Sequence, residues 1–140
     1  MSCLLDVVVQ NWAADLFFKG IEISVSSWFR KDLFTEADSN FFYNYEITIC
    51  NRLSYPVQLL SREWHVLHLL HGISTISGEG VVGETPTLMP NEEFSYVSGC
   101  EMVVSMGMMY GKFFFRDLSS DELFYADIPS FSLIYPVLLN

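Results

Sequence analysis

At 140 residues, 51% of them hydrophobic, the chain has material for one domain with a self-sufficient core, because surface scaling buries about 68% of the unfolded area at this size. A net charge of −10, with seven scattered basic residues, excludes a binder of DNA or RNA backbone, whose affinity comes from Lys and Arg displacing counterions. Cys3, Cys50 and Cys100 are widely spaced and form no C-x-x-C pair, which speaks for reduced thiols in a cytoplasmic protein rather than a disulfide framework or zinc site.

Residues 1–20 read as an amino-terminal arm. The start lacks a basic region, and Asp6, Asn11 and Asp15 interrupt its apolar run, so neither a secretory signal nor a membrane span is expected. Leu5, Val8, Val9, Trp12 and Leu16 fit a helical stripe, although Asp6-Val7-Val8-Val9 could equally begin a strand. Only the helix gives a continuous apolar face, so a short helix is the preferred reading.

From residue 21 the period becomes two. Ile21, Ile23 and Val25 alternate with Glu22, Ser24 and Ser26, and Tyr43, Tyr45, Ile47 and Ile49 alternate with Asn44, Glu46 and Thr48. This is the signature of strands with one wet face. Further strands are predicted at residues 57–67, 74–77, 93–97, 102–105, 109–115, 123–127 and 131–135, with Gly, Pro, Asn and Ser between them. Such a series describes an all-β sandwich or barrel.

Trp64 falls within the strand at 57–67, where an indole would plug the space between two sheets. Arg62 shares its face by parity and therefore needs a carboxylate or carbonyl partner. His65 and His68 would point to opposite faces and cannot converge on one metal, while His71-Gly72 reads as the turn that follows. No metal site is expected.

Gly78-x-Gly80-x-x-Gly83 has the spacing of a phosphate-cradling loop. That chemistry needs a helix to open after the glycines and offer unpaired N–H groups. Pro86 and Pro90 interrupt the stretch, and Glu79, Glu84, Glu92, Glu93 and Glu101 stand there with no Lys or Arg from Gly78 to Glu101. Like charge repels phosphate, so the glycines are expected to permit positive φ in a strand-joining turn. The ligand-binding alternative would join Gly78, Gly80, Gly83 and Arg62 in a pyrophosphate site, or use Glu79, Glu84, Glu92 and Glu93 for a divalent cation.

Catalytic groupings are weak. There is no Gly-x-Ser-x-Gly elbow, and adjacent acids such as Glu92-Glu93 and Asp121-Glu122 diverge on an extended chain. Met102, Met106, Met108 and Met109 read as core filler. No enzyme activity and no cofactor are expected. The apolar content, with 16% aromatics, points instead to a protein partner or self-association.

Gln58-Leu59-Leu60-Ser61-Arg62-x-Trp64, the glycine segment, Tyr96-x-Ser98-Gly99, Gly107-x-Met109-x-Gly111 and Ile128-Pro129-x-Phe131-x-Leu133 together closely resemble the ApaG family. The resemblance covers about residues 21–139. It implies a single fibronectin type III or immunoglobulin-like β-sandwich of about seven to eight strands. It also implies a bacterial, cytoplasmic protein associated with cobalt resistance and magnesium handling, whose gene often neighbours a diadenosine tetraphosphate hydrolase. The domain also occurs in an F-box subunit and a polymerase-delta-interacting protein, where it looks like an interaction module. Glu63, Thr85 and Asn91 depart from the family pattern. Asn tolerates a left-handed backbone, so the turn at Pro90-Asn91 should survive.

Overall fold

The computed structural model describes residues 12–35, 37–38 and 40–136. Among them are nine strands, β1 (Trp12–Phe18), β2 (Ile21–Phe29), β3 (Phe41–Asn51), β4 (Val57–His68), β5 (Gly72–Glu79), β6 (Thr87–Leu88), β7 (Glu93–Met102), β8 (Met106–Asp117) and β9 (Leu123–Ile134). One antiparallel sheet runs β1-β2-β3-β7. The other runs β5-β4-β8-β9, with β6 also on β4. The chain is thus a single all-β domain of two facing sheets.

Period-two alternation decides which residues fill the space between the sheets. Ile21, Ile23 and Val25 of β2 and Tyr43, Tyr45, Ile47 and Ile49 of β3 are all buried. Trp64 of β4 meets them from the opposite sheet. Its ring lies 5.5 Å from Tyr45, 6.2 Å from Phe113 and 5.9 Å from Phe131, edge-on to each. The expected indole plug is therefore present, in the tilted geometry that ring quadrupoles favour.

Three sequence expectations need correction. Trp12–Phe18 is not helical but forms strand β1, pairing antiparallel with β2 from Trp12 opposite Ser27 to Phe18 opposite Ile21. An available edge on β2 satisfies these backbone groups as a helix would, and pairing outweighs the local period. Residues 1–11, the rest of the helical reading, lie outside the described residues. Residues 102–105 are not a separate strand, because β7 runs to Met102 and bends follow. Finally, 123–127 and 131–135 belong to one strand, β9. Its register against β8 shifts between Met109 and Gly111, so Tyr110 opposes both Pro129 and Ser130. A bulge on an edge strand accommodates a proline that has no N–H to give.

Asn51 is wholly buried and has no apolar period to announce it. Its side-chain amide donates to the carbonyls of Tyr55 and Leu88, both at 2.9 Å, and its Oδ1 accepts from the Leu53 amide at 2.9 Å. One side chain thus ties the β3–β4 turn to β6. Asn51→Ala is expected to cost about 2 kcal/mol by leaving these buried groups unpaired. A lowered urea midpoint at unchanged denaturant slope would report it.

Candidate functional site

The glycine segment is a turn laid against β4. Gly80 has φ +61° and Gly83 φ +80°, as a strand-joining turn requires. Gly78 is different: it lies inside β5, opposite Arg62, without a positive φ. A Cβ there would stand 3.1 Å from Nη1 of Arg62, so the missing side chain makes room for the guanidinium. Arg62 Nη1 donates to the carbonyls of Glu79, at 3.0 Å, and Gly80, at 2.8 Å. The partner that parity demanded for Arg62 is therefore backbone carbonyl. Arg62, Gly78 and Gly80 do come together, with the turn presenting oxygen atoms to the arginine.

Several loop amides are already engaged. Gly80 donates to the Leu60 carbonyl at 2.7 Å, and Val81 and Glu84 exchange backbone hydrogen bonds at 2.9 Å. Val81 is fully buried beneath them and pins the turn to the core. No helix follows: the chain passes Pro86 into β6. Asn91 takes φ +67°, so the turn after Pro90 survives its substitution. Among the described residues, no three His, Cys, Asp or Glu gather where they could hold a metal ion. Glu92 instead accepts from the Met89 amide at 2.6 Å.

The histidines separate as strand parity requires. His65 points outward and stacks on Tyr110 at 5.1 Å. His68 sits at the opposite face, with Nε2 2.8 Å from Ser74 Oγ. His71 lies in the turn, 3.2 Å from the Leu69 carbonyl.

Beside Arg62 the sandwich is open. β1 and β2 pack against β9 on one side, whereas no comparable contact joins β5 to β7 on the other. A cleft of about 280 Å³ results, with Trp64, Val66 and Met109 as its floor and Arg62, His68 and Ser98 among its walls. Cys100 also lines it. Burial, then the nearby Glu101 charge, pushes that thiol up to about 11, so it stays protonated at neutral pH. Burial likewise raises the phenols of Tyr45 and Tyr96. A larger hollow of about 540 Å³ lies outside the second sheet along the β8–β9 bulge. Its charges are interleaved, with Lys112 in register with both Glu63 and Asp127. The sequence singles out Arg62 and Trp64 but does not place Ser98 and Cys100 beside them, because their position depends on β7 ending its sheet opposite β4.

Comparison with known proteins gives a consistent relationship. A family model described as the ApaG domain matches residues 31–117. The Protein ApaG of Brucella anthropi is 37% identical over 118 residues, which are 84% of this chain and 90% of the relative. That of Agrobacterium fabrum is 31% identical over 122 residues, covering 87% and 93%. A crystal structure described as the putative ApaA protein from Bordetella pertussis superimposes with a TM-score of 0.78 at 28% identity, over 83% of this chain and 94% of its own. Another X-ray structure superimposes with a TM-score of 0.80 at 32% identity, over 89% and 94%.

Proposed function

The chain belongs to the ApaG family, and from that premise we propose that it is a non-catalytic protein-interaction module that engages its partner along β5. The observation that carries this reading is the state of that strand. β5 ends its sheet, and seven of its eight residues are exposed, Gly78 alone being half-buried. Since Gly80 donates to Leu60, antiparallel alternation turns the amides of Ile73, Thr75 and Ser77 away from β4. These groups are free to pair with an added strand.

Edge strands are ordinarily blunted by charge, proline or bulges. β9 carries Pro129 and a bulge, and β7 carries Glu93 and Glu101. β5 has only Glu79, at its end. On the outer face Ile73 continues into a row with Leu67 and Met108, exposed at 58%, 38% and 36%. Leu69 and Leu70, also exposed, extend it around the hairpin tip. Contiguous apolar surface of this kind marks contact sites.

The cation or pyrophosphate sensor is the competing reading, raised by the family resemblance. It gains little support from a turn whose Gly80, Val81 and Glu84 amides are engaged and whose carboxylates do not gather. Among the described residues, no helix is long and apolar enough to cross a membrane.

In-cell photo-crosslinking tests the proposal. A photoreactive side chain at Thr75 is expected to give one discrete adduct, and the same group at Leu123, exposed on β9, none. Ile73→Asp should reduce the Thr75 adduct by about tenfold or more while leaving stability within about 0.5 kcal/mol. No adduct at Thr75, or equal adducts at both positions, would overturn the reading.

A further inference from the structure

The cleft between β4 and β7 holds more unpartnered polar chemistry than its structural role needs. Arg62 engages only Nη1, and among the described residues no carboxylate lies within ion-pair distance of it. Among the described residues its Nε and Nη2 donate to no group. Among the described residues two buried side-chain atoms have no hydrogen-bond partner, Tyr96 Oη and His68 Nδ1, and of these residues His68 lines the cleft. A guanidinium that lines a cleft with N–H groups still unengaged offers a charged donor edge to an acceptor entering there.

The surroundings define that acceptor. A single guanidinium supplies one positive charge, in a fork that matches a carboxylate. Trp64, Val66 and Met109 offer an apolar floor, and about 280 Å³ accommodates one ring or a short alkyl chain. Glu101 at the rim and the net charge of −10 disfavour ligands with several negative charges. A pyrophosphate or dinucleotide would bring more charge than one arginine offsets.

We propose that this cleft binds a small monocarboxylate with an apolar body, its carboxylate on the unengaged edge of Arg62 and its body on Trp64, Val66 and Met109. The site is separate from the outward-facing row of Ile73, Leu67 and Met108, so it stands or falls independently of the partner surface.

Phenylacetate and its uncharged isostere phenylacetamide, titrated into labelled protein at physiological salt, test this. Phenylacetate is expected to give saturable amide and indole shifts at Arg62, Trp64 and Ser98 to Cys100, with the amide binding about tenfold or more weakly. Arg62→Met should abolish that preference. Ser98→Leu, which occupies the mouth while leaving the arginine lock intact, should weaken both ligands. The acid–amide contrast on the unaltered protein reads the proposal even if Arg62→Met fails to fold. Equal binding of acid and amide would overturn it, as would the absence of saturable shifts at millimolar phenylacetate. Matching shifts from inorganic phosphate would also do so, since they would show a general anion site.

Discussion

Trp64→Ala is expected to destabilise the protein by about 4 to 5 kcal/mol, the upper end for a large buried aromatic. The indole is 2% exposed and touches rings from both sheets, Tyr45 on one side and Phe113 and Phe131 on the other. Truncation removes its transfer energy and leaves a void that cannot collapse, because strands on either side are held by their own ladders. The same substitution removes part of the floor of the cleft beside Arg62, which Val66 and Met109 complete. Urea unfolding reads the loss as a lowered midpoint. Leu123→Ala, at a residue 67% exposed, is the matched control and should move stability by no more than about 0.5 kcal/mol. A Trp64→Ala loss below about 2 kcal/mol would mean that the indole does not join the two sheets as described.

Gly80→Ala is expected to cost about 3 to 4 kcal/mol, from two separable causes. The first is backbone: φ is +61°, where a Cβ costs about 1 to 2 kcal/mol. The second is contact. The added Cβ would sit 2.2 Å from the Glu84 carbonyl oxygen and 2.9 Å from its carbon. Relaxation is restricted because the Gly80 amide is bonded to Leu60 and its carbonyl to Arg62. Gly83 isolates the first cause, having φ +80° but open space around a Cβ. Gly83→Ala should therefore cost about 1 to 2 kcal/mol. Gly78→Ala meets only the guanidinium end of Arg62, at 3.1 to 3.3 Å, where a shift of a few tenths of an ångström relieves the contact, and should cost least. The order Gly80, Gly83, Gly78 follows from a turn; equal effects visible only with added ligand would follow from a phosphate loop.

Much of this architecture is legible in the sequence because a sheet's inner face repeats every second residue. Tyr43, Tyr45, Ile47 and Ile49 needed no tertiary information to be placed inside. The parity that set Arg62 beside Trp64, and His65 opposite His68, was equally local. The first strand was not legible: residues 12–18 read Trp-Ala-Ala-Asp-Leu-Phe-Phe, with too few polar positions to choose a period. Its state is decided by the edge that β2 provides. Asn51 escaped notice because a buried side chain satisfied by distant carbonyls leaves no pattern. Arg62 showed its need for a partner but not which one, since the carbonyls of Glu79 and Gly80 reach it only once β5 folds back on β4. The three glycines look equivalent in sequence yet have different causes, two set by backbone dihedrals and Gly78 by the arginine opposite. The cleft was the least legible feature. It exists because the sheets close at β1 and β9 and stay apart at β5 and β7, a property of strand order rather than of any segment.

The glycine motif is a turn locked by Arg62 rather than a phosphate cradle. An amide NMR titration at physiological salt with pyrophosphate, and separately with magnesium and cobalt, distinguishes the two. The amides from Gly80 to Thr85 are expected to show no saturable shift at millimolar ligand. A saturable shift confined to those amides, with any of the three ions, would contradict it.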